Sequence, residues 1–153
     1  MLLEELHRQP GHLIRRAQQI AVAIFIEECA AFDLTPVQYA SMVAIQDNEG
    51  IDATRLSAQI AFDRSTLGNV LERLEARGFV ERYASPEDKR VKLLRLTPQG
   101  RSVTRSAEEG VRRTQERILA PLDATKRRVL LDLLAQLVEV NNDASRVPQR
   151  SIA

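Results

Sequence analysis

Cysteine is nearly absent from this sequence. A single thiol, Cys29, excludes an internal disulfide framework and a cysteine-rich zinc site. Six prolines and six glycines are too few for a low-complexity chain. Neither sign of charge dominates: 22 Lys and Arg face 21 Asp and Glu, for a net charge of +1. A strongly basic coat for nucleic acid and a long acidic tail are both excluded, so any polyanion surface must come from how the charges are distributed. No apolar run reaches the about 18 residues of a membrane span, and the best, residues 20–26, is cut off by Glu27 and Glu28. The first ten residues carry Glu4, Glu5, His7 and Arg8 and lack the basic-then-apolar layout of a secretory signal. The expected location is therefore cytoplasmic, without a membrane. A Gly-rich phosphate loop, a Gly-x-Ser-x-Gly elbow and a His-Glu-x-x-His pair are also missing, so neither an enzyme nor a cofactor is expected.

What is present is helical periodicity. The chain has 153 residues, 44% of them hydrophobic, enough for one compact domain or a small module with an added association element. After Gly11, apolar residues recur at Leu13, Ile14, Ala17, Ile20, Ala21, Ile24, Phe25, Cys29 and Phe32. Thr35-Pro36-Val37-Gln38 combines a cap, a proline for the first helical position and the partner of a capping box. The helix it opens stops near Asn48-Glu49-Gly50. Asp52 starts a short helix, Ala61-Phe62 turns the chain, and Asp63 caps a helix whose stripe of Leu67, Val70, Leu71 and Leu74 ends at Gly78. Residues 79–83 and 91–96 then read as two short strands around a polar, turn-rich loop. Thr97-Pro98 reopens helix to about residue 120. Pro121 breaks it, Asp123 is the next cap, and a last apolar helix covers 129–140. The polar end, with Pro148 inside it, is expected to fray.

The fold class that follows is mainly α with a small β-hairpin wing. Its regions are an N-terminal dimerisation helix (1–34), a winged helix-turn-helix (35–97), C-terminal dimerisation helices (98–142) and a flexible tail (143–153). Such a unit exists to place its second motif helix, here residues 63–77, in the major groove of DNA. With the apolar stripe turned inward, Arg64, Ser65, Thr66, Gly68, Asn69 and Arg73 face outward. Asn69 can pair with adenine, Arg64 or Arg73 can take guanine or phosphate, and Gly68 lets the backbone approach closely. That helix is neutral overall, and a plain solvated face is the competing reading. The hairpin favours DNA, because Lys89, Arg90, Lys92 and Arg95 outnumber Glu87 and Asp88. Basic side chains at its tip can reach a flanking minor groove, and Asp88 can lock onto Arg90 to shape the wing.

The runs Leu74-Glu75-Ala76-Arg77-Gly78-Phe79-Val80-Glu81-Arg82, Asp88-Lys89-Arg90 and Leu96-Thr97-Pro98-Gln99-Gly100 resemble the MarR family of bacterial transcriptional regulators. The resemblance extends over about residues 10–140. It implies an obligate homodimer on a pseudo-palindromic operator of double-stranded DNA, with Arg90 entering the minor groove, and in most members repression relieved by a small ligand. It also implies a cleft between the dimer helices and the winged unit that takes aromatic carboxylates, phenols or thioesters. Residues 10–17 resemble members that control aromatic-acid catabolism. The expected effector is thus a small aromatic carboxylic acid or its CoA thioester.

The terminal helices support association on their own terms. Val129, Leu130, Leu131, Leu133, Leu134, Leu137, Val138 and Val140 cover more than one face of a helix, which is better buried on two sides, against its own subunit and a second one. His7, His12, Arg15 and Arg16 cluster where the first long helix begins and could bind an anion. Arg16 and Tyr39 are the expected cleft residues, with His7 or His12 at its mouth. The two histidines lack nearby cysteine, and no metal site is expected. Two other readings remain: a thiol-based redox repressor acting through Cys29, disfavoured by the acidic neighbours Glu27 and Glu28, and a winged-helix protein-interaction adaptor without specific DNA binding.

Overall fold

The structure, a computed structural model, describes residues 2–151. Seven helices and three short strands follow in the order α1 (Leu3–His7), α2 (Pro10–Glu28), α3 (Pro36–Asp47), β1 (Ile51–Asp52), α4 (Ala53–Ile60), α5 (Arg64–Ala76), β2 (Val80–Ala84), β3 (Lys92–Leu96), α6 (Pro98–Leu119) and α7 (Ala124–Val140). Two 3-10 turns, Ala30–Phe32 and Asn142–Ala144, complete the chain.

From α3 onward each helix opens on a short polar side chain that satisfies an otherwise orphaned backbone donor. The Thr35 hydroxyl accepts from Gln38 N at 3.3 Å while Thr35 N donates to Gln38 Oε1 at 3.0 Å, closing the capping box. Asp52 accepts from Arg55 N at 2.8 Å, Asp63 from Thr66 N at 3.2 Å, Thr97 from Gly100 N at 3.0 Å and Asp123 from Lys126 N at 2.9 Å. Gly78 ends the α5 segment with φ +71°, a left-handed conformation that a side chain would strain.

The strands form one antiparallel sheet in the order β1-β3-β2, with Val80 opposite Leu96 and Arg82 opposite Leu94. The hairpin is the expected wing. Its third strand was not anticipated, because two residues are too few to show a period. The long first helix begins at Pro10 and gives way to the 3-10 turn after Glu28, short of Phe32, and α1 precedes it. α7 begins at Ala124, directly after its expected Asp123 cap and ahead of the apolar run 129–140.

One buried cluster joins these elements. Met42 and Ile45 of α3, Leu56 of α4, Leu67, Leu71 and Leu74 of α5, Leu94 and Leu96 of β3, and Ala107 of α6 share it with Phe25 and Cys29. Among the described residues every buried side-chain nitrogen or oxygen has a hydrogen-bond partner. Thr104 and Thr114 show how: each hydroxyl donates to the carbonyl four residues back, Gly100 or Gly110, at 2.9 Å. α6 crosses α2 closely, and the crossing is flanked by Arg113–Glu28 at 2.7 Å and Arg117–Glu28 at 2.8 Å.

The ends of the chain are different. α7 buries none of its residues, leaving Leu131, Leu134, Leu137 and Val138 at 41–62% exposure. Leu13, Ile14 and Ile20 on the first half of α2 are equally bare, each near 50%. These are the faces a second subunit would cover. Residues 143–151, by contrast, do not trail away. Arg150 N donates to Ala58 O at 2.9 Å and Gln149 Nε2 to Gln59 O at 3.0 Å, so the segment satisfies carbonyls in the last turn of α4 that lack helical donors. The tail expected at 143–153 carries these bonds as far as Arg150; residues 152 and 153 lie outside the described residues.

Gly110 shows how tight the α2–α6 crossing is. A Cβ there would stand 2.7 Å from Glu28 O and 3.1 Å from Cys29 Sγ. Gly110→Ala should force the helices apart and destabilise the fold by about 1–3 kcal/mol in urea unfolding, despite the better helix propensity of alanine.

Candidate nucleic-acid interface

The recognition surface is built by the inward stripe of α5. Burial of Leu67, Leu71 and Leu74 turns Arg64, Ser65, Thr66, Asn69 and Arg73 to solvent, and Gly68 lies half-covered among them. A Cβ at Gly68 would meet nothing within 4 Å, so the space above it is open. The two hydroxyls at the helix start are already engaged. Ser65 Oγ donates to Asp63 Oδ2, and Thr66 Oγ1 donates to the same oxygen at 3.3 Å. These bonds, Ser65 first and then the Thr66 amide, hold the Asp63 carboxyl below its ordinary pKa.

The far end of α5 is tied to the body. There Arg77 turns inward. It donates to Phe32 O at 2.7 Å and to Asp33 O, and its guanidinium lies 4.6 Å above the Phe79 ring. Glu75 pairs with Arg82 of the wing at 2.9 Å. The outward charges of α5 are therefore Arg64 and Arg73 against Glu72, with Asp63 retained as the cap.

In the wing, Arg90 Nε and Nη2 reach the two carboxylate oxygens of Asp88 at 3.1 and 3.0 Å, and Arg90 N adds a third bond at 3.0 Å. The bidentate fork sets the guanidinium in one orientation while leaving the Arg90 side chain 91% exposed. It also lowers the Asp88 pKa, chiefly through the side-chain bond to Arg90. Lys89 projects beside it, exposed. Arg95 is not part of this tip: it pairs with Glu81 at 2.7 Å and stacks over Tyr83.

Helix and wing enclose a concave surface of about 430 Å³ lined by Arg55, Arg64, Arg82, Arg90 and Lys92, with Asp52 the one acid among its lining residues. Sequence reasoning placed Arg64 and Arg90 here and counted Lys92 in the basic strand, but passed over Arg55 and Arg82. Arg55 stands three residues after the Asp52 cap, on the solvent side of a short amphipathic helix. That position was the available signal.

The expected effector residues are not gathered in one place. The His7 and His12 rings lie 4.8 Å apart, and Arg15 Nη2 is 3.4 Å from His12 Nδ1. Arg16 lies exposed nearby and donates to Gln19 at 2.9 Å. Burial, then the charges of Arg15, His7 and Arg16, hold His12 below its ordinary value of 6.5. Tyr39 instead lines a separate hollow of about 510 Å³ with Gln46, Arg101, Thr104, Arg105 and Glu108. Cys29 is fully buried, and burial foremost raises its thiol pKa. Glu28 adds to that rise, but its charge is held by Arg113 and Arg117, so burial rather than the acidic neighbours is the main cause.

A buried-stripe helix beside a shaped basic hairpin defines a winged-helix DNA-binding protein. Residues 34–92 match the MarR family. The HTH-type transcriptional repressor NicR of Pseudomonas putida is 29% identical over 136 residues, spanning 89% of this chain and 86% of that protein. The structure of BpsR from Bordetella bronchiseptica, whose DNA binding is regulated by 6-hydroxynicotinic acid, superposes with a TM-score of 0.80 at 30% identity, covering 86% of this chain and 94% of the other. The repressor CouR bound to a 23-mer DNA duplex gives a TM-score of 0.81 at 29% identity, over 90% and 98%. The chain belongs to the MarR family and is a DNA-binding transcriptional regulator, not an enzyme. Among the described residues no helix is long and apolar enough to cross a membrane.

The open space over Gly68 separates folding from binding. Gly68→Ala should raise stability by about 0.5–1 kcal/mol in urea unfolding, since a mid-helix glycine is replaced without a clash. If this face meets DNA as expected, the same methyl group should weaken operator affinity in a fluorescence titration.

Proposed function

We propose that the chain acts as a homodimeric repressor of a pseudo-palindromic operator and is released by a small aromatic carboxylic acid. The observation that carries the DNA part is the basic concavity between the start of α5 and the Asp88-locked Arg90. In this reading Asn69, Arg64 and Arg73 read or flank the major groove, and Ser65 and Thr66 exchange their bonds to Asp63 for DNA contacts. Gly68 admits the backbone, while Lys89 and Arg90 enter the adjacent minor groove. Two such units are needed, because one recognition helix spans only a few base pairs and paired half-sites lie about one helical turn apart. The bare apolar faces of α2 and α7 supply the means of pairing.

The effector part rests on the cluster of His7, His12, Arg15 and Arg16 at the start of α2, and on BpsR, whose regulator is an aromatic carboxylic acid. Anion binding there draws on charge-assisted bonds from the guanidinium groups and a histidine. Arg16 is assigned to the carboxylate, with His7 and His12 at the mouth. Tyr39, in its separate hollow beside Arg101 and Arg105, marks the alternative seat for the acid. A CoA thioester of the same acids is the second form to test. A tenfold loss of operator affinity needs about 1.4 kcal/mol of coupling between the two sites.

Selection from random duplexes should return an imperfect inverted repeat, and that duplex then serves the effector test. Titrating 6-hydroxynicotinate, benzoate, hydroxybenzoates and cinnamates, with their thioesters, into the complex should release the protein with at least one compound. Arg16→Ala should abolish release while keeping DNA binding. Loss of release in Arg105→Ala but not in Arg16→Ala would move the site to the Tyr39 hollow. The pH dependence has a defined sign. His12 is held below its ordinary pKa in the free protein, a bound carboxylate favours its charged form, and binding therefore takes up a proton. Effector affinity measured by calorimetry should rise as pH falls through the histidine range.

A further inference from the structure

Beyond α7 the chain runs back along the winged unit and carries basic charge to the start of the recognition helix. Asn142 sets the shape of this return: its Nδ2 donates to Gln149 O at 3.1 Å, and its Oδ1 accepts from Gln149 N at 2.8 Å. The bonds from Gln149 and Arg150 to Gln59 and Ala58 then fasten the segment to the end of α4. The Arg150 guanidinium is engaged by Asp143 at 2.8 Å. Arg146 is placed differently. Its side chain is 93% exposed, and its Nη2 stands 3.8 Å from Asp63 Oδ1.

Asp63 is where this interface has an electrostatic difficulty. The carboxylate is required as the α5 cap, accepting from Thr66 N and from both neighbouring hydroxyls. Yet a helix N-terminus otherwise attracts phosphate through its free amides and dipole, and a fixed negative charge there opposes that attraction. The ion-pair partner of Asp63 among the described residues is Arg146. An exposed contact of this length contributes little to folding, so the guanidinium can leave it for a stronger anion without disturbing the chain.

We propose that the C-terminal return is part of the nucleic-acid interface, with Arg146 offsetting Asp63 and contacting a backbone phosphate beside the groove that α5 enters. Asn142 and Gln149 are positioning residues that act through it. The inference rests on the DNA-binding surface proposed above. It assigns Arg146 to phosphate rather than to a base, because the residue sits outside the helix, next to its cap, and not on the face of Asn69 and Arg73.

Affinity of the full-length protein for the selected operator and for a scrambled duplex, measured over a range of salt concentrations, tests this. Arg146→Ala should weaken both duplexes by the same factor. It should also reduce the slope of log affinity against log salt by about 1 for each protomer, with thermal stability unchanged. Arg146→Lys should keep the slope. Asn142→Ala should lower affinity in the native background and add nothing in Arg146→Ala. With Arg90→Ala as the reference, loss of binding in that variant but a native slope in Arg146→Ala would overturn the tail assignment and leave the winged interface standing. A loss confined to the operator would mean a base contact and overturn the phosphate assignment. If the native protein retains neither duplex, the interface reading and this inference fall together.

Discussion

Burial of Leu67, Leu71 and Leu74 is the constraint on which the rest of the molecule depends. All three are fully excluded from solvent, in one cluster with Met42, Ile45, Leu56 and Leu94. Each contributes about 2 kcal/mol on burial. Rotating α5 far enough to present another face would expose them together. The outward face is therefore fixed as strictly as the core, and the Arg77 tether to the Phe32 and Asp33 carbonyls fixes its position along the axis. The recognition surface is the reverse side of a packing solution.

Charge is handled by removal more than by accumulation. Glu75–Arg82, Glu81–Arg95 and the Glu27/Glu28–Arg113/Arg117 set withdraw acids and bases together from the field. Most of these pairs are partly solvated and stabilise the fold little. Their consequence is spatial: in a chain of net charge +1, Arg55, Arg64 and Lys92 stand outside these pairs in the concavity beside the wing, with Asp52 as the one acid lining it. A general positive coat is absent, and the basic charge that remains is local.

Association has the same logic in apolar form. The cluster that seats α5 takes in α3, α4, the sheet, the end of α2 and the middle of α6, and then it is full. Nothing in the described chain remains to cover α7 or the first half of α2. The surplus at Leu131, Leu134, Leu137 and Val138 recurs at helical spacing, too regular to be scattered surface hydrophobicity.

Helix order, caps and the wing were legible in the chain because they are local. Thr35, Asp52, Asp63, Thr97 and Asp123 satisfy donors three residues away, and Asp88 and Arg90 face each other across one turn. The inward stripe of α5 follows from a period of 3.6 in the same way. Contacts between residues distant in sequence carry no such mark. Two-residue β1 exists only because β3 is beside it, Arg77 turns inward because the Phe32 and Asp33 carbonyls await it, and Arg55 and Arg82 meet Arg64 only once helix and sheet are packed. The return of Gln149 and Arg150 to α4 is likewise decided by free carbonyls some ninety positions back along the chain. Sequence by itself determined the helices from α2 onward, the hairpin, their order and the inward stripe of α5, since these rest on neighbours within a turn or two. Tertiary structure alone decided which charges remain outside and what stands next to the recognition helix, since that depends on partners brought together by packing.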